Sequence, residues 1–89
     1  MKAVITVIGK DMVGILAKVS GACEKANANV IEVTQSVMQD MFAMIMMVDI
    51  SKLSVDFEEF SSSIEAIGEK LSLKASVMHE DIFNSMHKI

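Results

Sequence analysis

The residues best able to do chemistry fall in one short stretch, Gly9-Lys10-Asp11-Met12-Val13-Gly14-Ile15-Leu16. A run of β-branched residues ends at Gly9, and an apolar helical pattern begins a few residues later. A turn from strand to helix leaves backbone N–H groups unbonded at the positive helix end, which suits an anion such as a carboxylate. Asp11 supplies the opposite charge and has two readings: a cap on the first helical turn, or the acceptor for an ammonium group. Gly14 falls in that first turn, where glycine costs about 1 kcal/mol against alanine. Either a ligand or another backbone comes close there, or a side chain would clash with a strand. Asn29 reads as a turn residue closing a helix.

Other reactive types have plainer explanations. Cys23 is unpaired, lacks a CxxC partner, has nothing nearby in sequence to lower its pKa, and reads as a small core residue. His79 and His87 are eight residues apart, which is not ligand spacing on one element, and read as surface residues. Met38, Met41, Met44, Met46 and Met47 invite a soft-metal reading. Strand alternation sends Met46 and Met47 to opposite faces, so they read as flexible core filler; an adaptable Met-rich interface is the intermediate reading. No metal or cofactor is expected.

The elements that must position these residues follow from periodicity. Residues 2–9 read as a strand apolar on both faces, hence central. Residues 13–27 read as a helix, with Ile15, Val19, Ala22 and Ala26 on one stripe. Its small residues (Ala17, Gly21, Ala22, Ala26) predict close packing on a sheet, and Asn27-Ala28-Asn29 ends it. Residues 30–39 alternate, with Ile31, Val33 and Val37 on one side, and read as an edge strand. Asp40 marks a hairpin, and residues 42–50 form the next strand. Ser54 and Asp56 compete as caps for a second helix, with Glu59 placed as in a capping box. Phe57, Phe60, Ile64, Ile67 and Leu71 form its apolar stripe, and the glutamates on its other side read as a solvated face. Residues 72–79 alternate as a fourth strand, and the tail suggests one or two helical turns. The order predicts an α+β, ferredoxin-like βαββαβ sandwich: a four-stranded antiparallel sheet with two helices on one face. Residues 1–80 form the domain, and residues 81–89 are a helical tail of the same unit.

The bulk numbers narrow the function. An 89-residue chain buries a marginal core. This one has no disulfide to help, yet 52% of it is hydrophobic. Two helices cover one sheet face only, so a partner subunit, the tail, or both should cover the other. A net charge of −4 and the absence of Arg, Trp and Tyr argue against nucleic acid. No apolar run reaches the about 20 residues of a membrane span, and the first residues do not read as a signal peptide. A single cysteine fits a reducing compartment, so the cytoplasm is expected. Related topologies with other functions lack their chemistry here. An acylphosphatase needs a phosphate-gripping cation, usually Arg. An RNA-recognition domain needs aromatics on its central strands. A copper chaperone needs CxxC where this chain has GKDMVG.

The segment GKDMVGILAKVSG resembles the ACT-domain signature, and NANVIEVTQSV resembles the second strand of that family. The likeness covers essentially the whole chain. It is strongest to small free-standing prokaryotic ACT proteins and more distant to the transcriptional repressor of the glycine cleavage system. The resemblance implies a homodimer or homotetramer, joined side by side or back to back, that binds a small effector, usually an amino acid, at its interface. Lys10, Asp11, Met12, Val13 and Gly14 would contact the effector, Asp11 taking its amino group and the helix N-terminus its carboxylate. Asn29, Val30 and Ile31 would contribute from the second strand, often from the neighbouring subunit. Most such domains are attached to an enzyme; none is expected here, so the expected role is regulatory and not catalytic. The alternative is a protein-interaction or dimerisation module without a small ligand.

Overall fold

The computed structural model describes residues 1–10 and 14–86. Asp11, Met12, Val13 and His87 lie outside the described residues. The elements are β1 (Lys2–Gly9), α1 (Ile15–Lys25), β2 (Asn29–Met38), β3 (Met41–Asp49), α2 (Phe57–Lys70), β4 (Lys74–His79) and α3 (Glu80–Met86). The strands form one antiparallel sheet in the order β2-β3-β1-β4. The strand that is apolar on both faces is therefore central, and the alternating β2 is an edge.

Side-chain alternation divides the sheet. Ile5 stands opposite Met46 and Val77, and Val7 opposite Met44 and Ala75. These residues face the helices, where Ile15, Val19 and Cys23 of α1 and Phe60 and Ile64 of α2 complete the core. The Met-rich strand behaves as alternation requires, with Met44 and Met46 fully buried and Met41 exposed. Gly68 sits where β4 crosses under α2: an added Cβ would lie 2.8 Å from the Ala75 Cβ.

Three local expectations need correction. Ala17 and Gly21 do not pack on the sheet; both are exposed, because they lie on the side of α1 opposite Val19 and Cys23. Ile31 and Val33 do not line one side by simple alternation. A β-bulge shifts the register between Val30 and Glu32, leaving Ile31 unpaired and Val33 opposite Met46. Asp56 occupies the N-cap of α2, but without a side-chain hydrogen bond, so the capping box is not formed.

The second sheet face is covered in part. Helix α3 packs against β1 and β4. Val4, which alternation places on this face between Met47 and Met78, is 1% exposed. Beyond the tail the face is open: Ile8 is 47% exposed and Ile45 42%.

Candidate functional site

Helix α1 begins at Gly14, whose φ of 76° is left-handed. Among the described residues, nothing lies within 4 Å of where its Cβ would be. The glycine is thus required by backbone conformation, and the clash with a strand considered from sequence is absent. The N-cap is Gly14 itself, with no side-chain cap among the described residues. Lys10 leaves the end of β1 and reaches the β2–β3 turn, its Nζ 3.9 Å from Asp40 Oδ2. That turn carries Gln39 at φ 56°.

Asn29, Val30 and Ile31 are elsewhere. The register runs Lys2–Asp49–Asn29 at one end of the sheet and Gly9–Phe42–Val37 at the other. Seven residue steps of about 3.3 Å separate the two ends, so about 23 Å. One protomer therefore holds Lys10 and Gly14 at one end and Asn29–Ile31 at the other. It does not bring the expected site together.

At the Asn29 end the chain is firmly organised. Asn27 takes φ 62° to end the helical turn, as expected of Asn there, and its Nδ2 donates to the Lys52 carbonyl at 2.8 Å. Asp49 accepts from both the Ser51 hydroxyl, at 2.6 Å, and the Ser51 N–H, at 2.8 Å, which hold its carboxyl below the usual carboxylate range. An open pocket of about 370 Å³ lies beside these residues, lined by Ser20, Glu24, Asn27, Ala28, Asn29 and Val30. Ser20 and Glu24 were not singled out by sequence. Their spacing of four, directly before Asn27, was the available signal. A larger crevice of about 970 Å³ runs between α1 and α2 over Ala22, Val55, Phe60, Ile67 and Leu71. It contains none of the expected site residues and reflects the small residues of α1 facing α2.

The remaining reactive groups are structural. Cys23 is fully buried, and burial pushes its thiol up to about 11. His79 is half-buried and stacks on Phe57 with ring centroids 4.3 Å apart, more enclosed than a plain surface residue. No group of three or more potential metal ligands occurs among the described residues.

Residues 2–82 match the pattern of the ACT domain. The chain belongs to the ACT-domain family. A UPF0237 protein of Methanococcus maripaludis is 45% identical over 86 residues, covering 97% of this chain and 96% of that protein. The solved ACT domain protein from Streptococcus pneumoniae superposes with a TM-score of 0.80 at 37% identity, covering 98% of both chains. A structure described as a glycine cleavage system transcriptional repressor matches at TM-score 0.72 and 21% identity, over 85% of this chain and 43% of that one, and shares the fold. ACT domains are ligand-binding regulatory modules of the kind used in amino acid sensing. In this ACT domain, no helix among the described residues is long and apolar enough to cross a membrane.

Proposed function

We propose that this ACT domain is a homo-oligomeric regulatory module, not an enzyme, that binds an amino acid where two copies meet and acts in the cytoplasm. The observation that carries the reading is the separation of Lys10 and Gly14 from Asn29, Val30 and Ile31 to opposite ends of the sheet, next to an edge strand with no partner on its outer side among the described residues.

A twofold axis at the middle of β2 joins the two halves. Antiparallel pairing of two β2 strands sets residue 29 of one copy near residue 38 of the other. Residue 38 adjoins the turn that Lys10 reaches through Asp40. Asn29, Val30 and Ile31 of one copy then stand near Lys10 and Gly14 of its partner, and Asp11, Met12 and Val13 are assigned to the same ligand site. The flank of β2 fits such burial: Leu16, Val30, Ile31 and Val37 are all exposed in the single chain. A free edge flanked by apolar side chains is a ready surface for strand addition.

The test is thermal unfolding with a panel of amino acids at millimolar concentration, alongside native mass spectrometry. A ligand at about 100 times its Kd stabilises the state it binds by about 2.7 kcal/mol. At least one amino acid should raise Tm and the oligomer fraction together. No rise with any of them overturns the reading. The open sheet face at Ile8 and Ile45 favours a second reading, an interaction module without a ligand. Under that reading the Asp11→Ala/Asn29→Ala chain keeps its partner.

A further inference from the structure

The pocket beside Asn29 has one charged lining residue, Glu24; Ser20, Asn27 and Asn29 are neutral and polar, and Ala28 and Val30 are small and apolar. Among the described residues the ion pair present is Lys10–Asp40, so no cation sits within ion-pair distance of Glu24, although Lys18, Lys25 and Lys70 line the larger crevice on its other side. Lys25 is adjacent in sequence, and adjacent helical residues do not face one another. The pocket also sits at the last turn of α1. The negative end of a helix adds to the carboxylate in favouring a positive charge. The wall is pre-set, because Asn27 is held to the Lys52 carbonyl and Ala28 N–H donates to the Cys23 carbonyl at 2.8 Å.

From this we infer that Glu24 is the acceptor for the amino group of the bound ligand. The inference rests on the interface reading above for where the ligand lies, and it moves the ammonium from Asp11 of one copy to Glu24 of the other. A zwitterion in the joined site then lies between two helix ends of opposite sign. Its carboxylate meets the start of one α1 and its ammonium the end of the partner's α1. The class of ligand follows: a small amino acid or amine with a free primary or secondary ammonium, and not an N-acylated acid.

The experiment is an amide-resolved NMR titration of the full chain with the amino acid panel, the matching N-acetyl amino acids, and ethylamine. Binding should shift the amides of Ser20, Glu24 and Asn27–Val30, and N-acetylation should remove the effect. Losing a charged hydrogen bond predicts that Glu24→Gln weakens binding by about tenfold to a hundredfold, with partial recovery in Glu24→Asp. Glu24 is exposed, and the variants are checked by their unliganded spectra; the N-acetyl comparison in the unaltered chain serves if a variant misfolds. If amino acids bind Glu24→Gln as tightly as the original chain, or if the N-acetyl forms bind equally, the assignment of Glu24 is overturned while the interface reading stands. If ethylamine or an amino acid binds this pocket in a Glu24-dependent way without stabilising an oligomer, the pocket stands and the interface reading falls. If no probe shifts these amides, the assignment is overturned.

Discussion

Gly14 illustrates how a single residue can matter through its backbone conformation alone. Its φ of 76° lies where a Cβ costs about 1–2 kcal/mol, and among the described residues nothing lies within 4 Å of where that Cβ would be. Gly14→Ala should therefore destabilise the chain by about 1–2 kcal/mol through the backbone alone, read as a lower urea midpoint with an unchanged slope at fixed protein concentration. Gly14→Asn should lose less, since Asn tolerates that region. An alanine variant of full stability would mean that the loop re-forms without the left-handed turn. Glycine at this position was noticeable in the sequence because Ile15, Leu16 and Val19 start a helical period there. The sign of φ was not, because a glycine inside a first turn and one just before it give the same pattern. Glu24 was less legible still. A lone glutamate on a helix looks like any solvated charge until the pocket beside it is in view.

At the scale of elements, the strands were legible where burial imposes a simple pattern. β1 is apolar on both faces because helices cover one side and α3 the other at Val4. β2 alternates because it is an edge. The bulge at Ile31 escaped, since an inserted residue leaves the local composition unchanged while altering which face its neighbours take. The relation between the two halves of the site also escaped. It depends on the Lys2–Asp49–Asn29 register, and a register is a property of paired strands. If β2 is the joining edge, its midpoint is its weak point. Thr34 lies near that midpoint and is exposed. Thr34→Glu places like charges beside the twofold axis, which is destabilising for cross-strand neighbours. Light scattering should report a shift toward monomer, with the secondary structure seen by circular dichroism retained. An unchanged oligomer would move the interface to the open face around Ile8 and Ile45.

For the molecule as a whole, the tail and the open face set the terms. A helix of seven residues with no buried side chain of its own nevertheless encloses Val4, while Ile8, Met41 and Ile45 remain to be met by something else. A second contact there would stack pairs into a tetramer without disturbing β2. The distance between Gly14 and Asn29 has a further consequence. A chain defective at its loop and a chain defective at Glu24 fail for different reasons, and each still carries the half that the other lacks. Co-expressed as Gly14→Ala and Glu24→Gln, the two should form mixed pairs in which one cleft inherits both lesions and the other neither. Ligand capacity should then return to about one molecule per mixed pair, measured by equilibrium dialysis, although each variant alone takes up little. Mixed pairs that stay empty would show that each copy binds with its own residues only.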